Sequence, residues 1–359
     1  MKKILLLGTG GTIASVQGEN GLSPGLDTAT LLSYVPALSA LCEVETLQVC
    51  AIDSTNITPS HWQLMVRAIE DHYHEYDGFV LCHGTDTLAY TASALSYMVQ
   101  NADKPIVLTG SQKPINLDVT DARTNLEDSF RYAVHEGSRG VSIVFGGKVI
   151  VGTRARKERT KSYNAFSSLN FPYPAVVQDG MVVRYFEEAR PEADVRFFHD
   201  LCERVCVLKL TPGLSPDILT FVFERYEGIV LESFGVGGLP APLLPTFQKL
   251  MHEHGCDRLV VMATQVPREG SDMTVYEVGR LAQSEGHLLE ACDMTLEAVI
   301  TKLMWLLGCR GMGMEERREL FYRAVNHDIL FCPGKGQLNR PTLPGTNASA
   351  MQDNAAKRV

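Results

Sequence analysis

The sequence predicts an α/β protein, with a larger N-terminal domain on a doubly wound, mostly parallel sheet and a smaller C-terminal α/β domain. Three observations predict it. Short β-rich runs alternate with stretches of helical period along most of the chain. Two of those runs open at their carboxyl ends into glycine-threonine turns, where open parallel sheets place ligands. The chain has 359 residues and is 45% hydrophobic, enough to bury two cores.

Runs 4–7, 44–49, 79–82, 106–108 and 141–145 read as strands. Between them, 59–71, 88–99 and 122–135 carry helical spacing, the first with Thr58 as N-cap and Pro59 at the first helical position. These elements make one doubly wound unit. From about 171 to 204 the pattern loosens through Pro172, Pro174, a hairpin-like Asp179-Gly180 and a charged run at 187–196, which marks a domain crossover. The N-terminal domain, crossover included, is placed at 1–190. Alternation resumes with strands at 205–210, 228–231 and 259–262 and helices at 216–225, 244–254, 275–284, 295–307 and 314–325, giving a second domain over 205–330. Residues 334–359 have no periodicity and read as a flexible tail.

A formal net charge of −9 argues against general affinity for a polyanion, so nucleic acid is not an expected partner. Lys2-Lys3 followed by the apolar run 4–7 imitates the start of a secretory signal, but Gly8-Thr9-Gly10-Gly11 breaks it. No stretch approaches the roughly 20 apolar residues that span a bilayer, so no membrane association is expected. Nine cysteines, odd in number and set in apolar runs such as Val80-Leu81-Cys82, read as buried thiols of a reducing compartment. The expected location is the cytoplasm. Cys202 and Cys206 lack a second pair, so no metal centre is expected.

The chemistry concentrates in the two turns. Gly8-Thr9-Gly10-Gly11-Thr12 follows the first strand, and His83-Gly84-Thr85-Asp86-Thr87 follows the run at 79–82. The first is not a nucleotide site, because Ile13 stands where a dinucleotide fingerprint needs glycine and the P-loop Lys-Ser/Thr pair is missing. No cofactor is expected. Residues 13–21 read as a polar loop, a mobile lid. A threonine hydroxyl attacks at neutral pH only if a base takes its proton, and Thr85, Asp86 and a buried lysine form a suitable set.

Thr9-Gly10-Gly11-Thr12-Ile13-Ala14 together with His83-Gly84-Thr85-Asp86-Thr87-Leu88 resembles the two signature motifs of the bacterial-type L-asparaginase family, its cytoplasmic type I branch in particular. Further matches run through Asp53-Ser54-Thr55, Thr109-Gly110-Ser111-Gln112, Ser233-Phe234-Gly235-Val236-Gly237 and Asp293-Met294-Thr295, so the resemblance spans 1–330. It implies hydrolysis of L-asparagine to L-aspartate and ammonia through a threonine acyl-enzyme, without cofactor or metal, by a homodimer or homotetramer.

Carried over position by position, the resemblance implies Thr12 as nucleophile and Thr85, Asp86 and Lys157 as its partners. Lys157 rather than Lys161 follows from counting back from Ala165-Phe166. Which of Thr12 and Thr85 attacks first stays open at this point. Asp53, Ser54 and Thr55 match the segment that grips the substrate α-carboxylate, Asp86 meets the α-ammonium, and backbone amides at Gly11 and Thr12 face the oxyanion. There are two departures. Leu22 stands near the place of the family's lid tyrosine, leaving Tyr276 as the candidate to assist Thr12. In the segment that lines an effector site in type I relatives, Thr264-Gln265-Val266 lacks the usual cysteine. Two other readings share the fold: the amidase subunit of a tRNA-dependent amidotransferase, expected to carry an extra N-terminal domain, and an amino-acid sensor, expected to lack a catalytic group. Asparagine and glutamine differ by one methylene, which motif spacing does not resolve.

Overall fold

The computed structural model describes residues 1–18, 21–275, 287–332, 336 and 337. The N-terminal sheet has eight strands: β1 (Lys3–Gly10), β2 (Glu43–Ile52), β3 (Gly78–Cys82), β4 (Pro105–Thr109), β5 (Gly140–Phe145), β6 (Lys148–Val151), β7 (Ala175–Gln178) and β8 (Met181–Arg184). Their order is β8-β7-β6-β5-β4-β3-β1-β2. Pairs from β2 through β5 are parallel, whereas β6, β7 and β8 join antiparallel, so the sheet is mixed.

Helices cover both faces, which is why the parallel strands are apolar throughout rather than alternating. With side chains alternating along each strand, Leu5, Leu7, Phe79, Leu81, Ile106 and Leu108 pack against α2 (Pro59–His72) and α3 (Leu88–Met98). Ile4, Leu6, Val80, Cys82 and Val107 pack on the other face against α1 (Thr28–Ser33) and α4 (Ala122–Val134). Because β2 and β3 lie on opposite sides of β1, the chain changes direction there. The crevice beyond the carboxyl ends of β1 and β3 is therefore the topological switch point of the sheet.

The second sheet is wholly parallel: β9 (Val205–Lys209), β10 (Gly228–Ser233), β11 (Leu259–Thr264) and β12 (Leu288–Glu290), in that order. One face packs on α5 (Asp217–Arg225) and α6 (Leu244–His254), the other on α7 (Leu296–Gly308) and α8 (Met314–Phe321). The two domains meet where α3 lies along α7, with Ser93 Oγ 2.8 Å from Thr301 Oγ1 and the Tyr97 hydroxyl donating to Asp328 at 2.8 Å.

Several expectations change. The segment expected to be a loop-like lid instead pairs as a hairpin, Ser15–Gly18 with Gly21–Pro24. Part of the expected crossover belongs to the sheet: Asp179 and Gly180, at φ 49° and 73°, form the two-residue turn that joins β7 to β8. The remainder of the crossover runs back along the first domain, where Arg196–Phe197 pairs with Val99–Gln100. Helix α8 stops at Phe321, and Asn326 and His327 take positive φ beyond it. The helix expected from 275 lies, after Val275, outside the described residues, as does the tail apart from Gly336 and Gln337.

The all-thiol reading of the cysteines is corrected as well. Cys292 and Cys332 form a disulfide, because the strand Phe331–Cys332 lies against the buried turn at Cys292. Glu290 stands with them, but with both sulfurs bridged the group offers no thiolate to a metal. The other seven cysteines are free. Among the described residues no helix is long and apolar enough to cross a membrane.

Candidate active site

The turn after β1 depends on glycine at two positions. Gly10 and Gly11 have φ of 97° and 77°. A Cβ on Gly10 would lie 2.5 Å from the Ile52 backbone, and one on Gly11 would lie 2.2 Å from the Gly84 nitrogen. Only a residue without a side chain permits that approach. The Thr9 hydroxyl donates to the Cys82 carbonyl at 2.9 Å, tying this turn to the end of β3. Thr12 then opens a short 3-10 turn, Thr12–Ala14. Its hydroxyl has no hydrogen-bond partner among the described residues.

The turn after β3 is held by a buried polar chain. Trp62 Nε1 donates to Thr91 Oγ1 at 2.9 Å, Thr91 Oγ1 lies 3.0 Å from His83 Nε2, and His83 Nδ1 lies 2.7 Å from the Gly84 carbonyl. One tautomer satisfies all three contacts: Nδ1–H donates to Gly84, and Nε2 accepts from Thr91. Complete burial drives the His83 pKa down to about 4, so the ring is neutral. Gly84 packs against Ser54, whose Oγ would sit 2.5 Å from a Cβ placed there.

Beyond that turn Lys157 Nζ, from the short strand Ala155–Lys157, donates to Thr85 Oγ1 at 2.7 Å and to Asp86 Oδ1 at 2.6 Å. Lys161 is exposed, and its ammonium has no partner among the described residues. Thr85 Oγ1 also reaches Gln112 Oε1 at 3.4 Å. The contact of Gly11 with Gly84 sets their neighbours Thr12 and Thr85 on facing turns at the switch point.

Of the expected carboxylate-gripping trio, Ser54 alone is buried. Its Oγ accepts the Asp86 N–H at 3.3 Å and its carbonyl accepts the Thr87 hydroxyl at 2.7 Å. Asp53 and Thr55 are exposed and bonded to each other: Asp53 Oδ1 accepts the Thr55 N–H at 2.9 Å and its hydroxyl at 3.0 Å, capping the turn Ser54–Asn56. Thr58 N-caps α2 with Pro59 behind it, as the sequence predicts. The Gly11 amide does not face an oxyanion, because its N–H donates to the Ile52 carbonyl at 3.0 Å. The Thr12 amide has no acceptor among the described residues. Tyr276 lies outside the described residues.

Gln112 and Asp121 were not singled out as site residues by the sequence. The Asp121 carboxylate accepts the N–H groups of Gln112 at 2.9 Å and Lys113 at 3.2 Å, and so sets the loop that carries Gln112 to Thr85. The position of Thr109-Gly110-Ser111-Gln112 at the carboxyl end of a strand was the available signal.

Comparison with known proteins bears on both domains. Residues 3–190 match the family described as Asparaginase, N-terminal, and residues 204–321 the Glutaminase/Asparaginase C-terminal domain. An L-asparaginase of Thermococcus kodakarensis is 40% identical over 328 residues, covering 91% of this chain and 99% of that protein, and its structure superposes with a TM-score of 0.84. The structure of L-asparaginase I from Vibrio cholerae is 27% identical, with a TM-score of 0.80 and coverage of 91% and 99%. A glutamyl-tRNA(Gln) amidotransferase component of Pyrococcus furiosus is 32% identical over 318 residues, 85% of this chain and 72% of that protein.

Proposed function

The chain belongs to the asparaginase family, and on that premise we propose that it hydrolyses L-asparagine to L-aspartate and ammonia, with Thr12 as the nucleophile. The observation that carries the site assignment is Lys157 Nζ bonded to both Thr85 Oγ1 and Asp86 Oδ1, across from the turn that bears Thr12.

In this reading Thr12 Oγ attacks the side-chain amide carbon, and its proton goes to the nitrogen that departs as ammonia. Water, oriented by Thr85 beside the Lys157 ammonium, then adds to the ester carbon, and its proton passes to the departing Thr12 oxygen. The Thr12 ester bond breaks, aspartate leaves, and the hydroxyl is restored. The Thr12 N–H serves the oxyanion, an interaction worth about 3 kcal/mol at comparable acyl-transfer sites. Asp86 Oδ2 receives the substrate α-ammonium, and Ser54 the α-carboxylate, with Asp53 and Thr55 at the rim. The reaction as written draws on no metal or cofactor.

We place the catalytic domain at 1–190 and the second at 205–330, and the working protein in the cytoplasm as a homodimer or homotetramer. Seven free thiols suit a reducing compartment, and the Cys292–Cys332 bridge runs against it. The asparaginase reading is favoured over the amidotransferase one because this chain is 40% identical to the Thermococcus enzyme and 32% identical to the Pyrococcus amidotransferase component.

The test is ammonia and aspartate release from L-asparagine, and ammonia and glutamate release from L-glutamine, by the purified chain alone. Release from asparagine that vanishes in Thr12→Ala is expected. A folded wild type that releases nothing from either amide refutes autonomous hydrolysis.

A further inference from the structure

Lys157 belongs to a two-stranded ribbon whose root is held by the other domain. Ala155–Lys157 pairs antiparallel with Phe166–Ser168, and the Leu169 N–H closes the base on the Arg154 carbonyl at 2.9 Å. Arg154 has no solvent exposure. Its Nε donates to the His327 carbonyl at 2.6 Å, Nη1 to the Asp293 carbonyl at 2.7 Å and Nη2 to Asp293 Oδ2 at 2.9 Å. Two residues past the returning strand, Asn170 Nδ2 donates to the same Asp293 carbonyl at 3.1 Å. Asp293 is fixed in turn by the Leu330 N–H, 3.0 Å from its Oδ1.

A buried guanidinium carries a desolvation cost, which its three hydrogen bonds to the second domain offset here. The seam already has fastenings elsewhere, at Ser93–Thr301 and Tyr97–Asp328, the latter beside the fully buried Lys302–Asp328 ion pair at 2.6 Å. Arg154 differs in what it holds. It lies three residues before Lys157, about 10 Å along an extended strand. Its planar fork sets direction as well as distance, which a lysine in its place would not.

We propose that Arg154 and Asp293 are positioning residues for Lys157: the second domain aims the ammonium at Thr85 and Asp86 through the ribbon root. The proposal rests on the reading of Lys157 given above. Both ends of the ribbon converge on one carbonyl of the second domain, so small displacements of Asp293 move Lys157 relative to a sheet that stays still.

The test compares steady-state kinetics on L-asparagine for wild type, Arg154→Lys, Asp293→Asn, Lys302→Met and Lys157→Met, each below its melting temperature. Arg154→Lys and Asp293→Asn are expected to lose kcat by about a hundred-fold, the cost of roughly 1 Å of misplacement, with KM little changed. Lys302→Met is expected to lower the melting temperature while keeping kcat. If Arg154→Lys does not fold, Asp293→Asn and Asn170→Ala carry the same comparison; if Lys302→Met does not, Thr301→Val replaces it. Retained kcat in the root variants, or an equal loss in the seam control, overturns the proposal while Lys157→Met is inactive. An active Lys157→Met instead overturns the reading of Lys157 itself.

Discussion

Acid should weaken this fold through one imidazole. His83 is neutral, with its pKa at about 4 against the usual 6.5, because it is fully buried in the chain Trp62–Thr91–His83–Gly84 and its Nε2 is needed as an acceptor. Below pH 6.5 the unfolded chain binds a proton that the folded chain refuses, so the stability it contributes is complete above pH 6.5 and drains away as pH falls toward 4. At about 1.4 kcal/mol per pH unit the whole interval amounts to about 3.4 kcal/mol, of which about 2.5 kcal/mol is gone at pH 4.5. Glu188 and Asp128, raised by burial to about 7 and about 6, act in the opposite sense: their folded forms hold protons that the unfolded chain releases. Subtraction is therefore required. Urea unfolding of wild type and His83→Gln at pH 7.5 and pH 4.5 should show the stability gap between them narrowing by about 2.5 kcal/mol in acid. A gap of the same size at both pH values refutes the argument. So does a His83 ring that titrates above pH 6 by NMR.

Two further outcomes follow from the site geometry. Lys157→Met should lower kcat on asparagine by about 10²–10⁴-fold, the range of a positioned proton-transfer group, while Lys161→Met leaves it intact; a dead Lys161→Met would reassign the lysine. Gly11→Ala forces a Cβ to within 2.2 Å of the Gly84 nitrogen at a φ of 77°. It should cost about 1–3 kcal/mol in urea unfolding and abolish turnover, and wild-type kcat would mean that the two turns do not need this contact.

The parts of the molecule legible in the sequence are those whose cause is local. Strands β1 to β5 could be read because apolar runs between turn signals have one use in a doubly wound domain. Their spatial order could not, since it depends on how each helix crosses the sheet. The Asp179-Gly180 hairpin announced itself through its turn chemistry, but its membership of the sheet rests on a single pairing, Val176 with Lys148. At only three residues, β12 is too short to carry a period. Thr85, Asp86 and Ser54 came from motifs and lie together. Gly11 as an oxyanion donor failed because its amide is claimed by Ile52, some forty residues along the chain. Arg154 carries no local signal, since its partners Asp293 and His327 are remote in sequence. The Cys292–Cys332 bridge escaped for the same reason.

The adjacency of β1 and β3 also has a kinetic consequence. Ile4 pairs with Gly78 and Gly8 with Cys82, so the two signature turns spring from neighbouring strands separated by more than seventy residues of chain. A parallel pairing of that span must close a long loop before any contact repays the entropy, and such steps come late and slowly. Neither half of the candidate site is of use until it happens. During refolding, secondary structure and collapse should precede the return of turnover, whose first appearance dates the moment when β1 seats between β2 and β3.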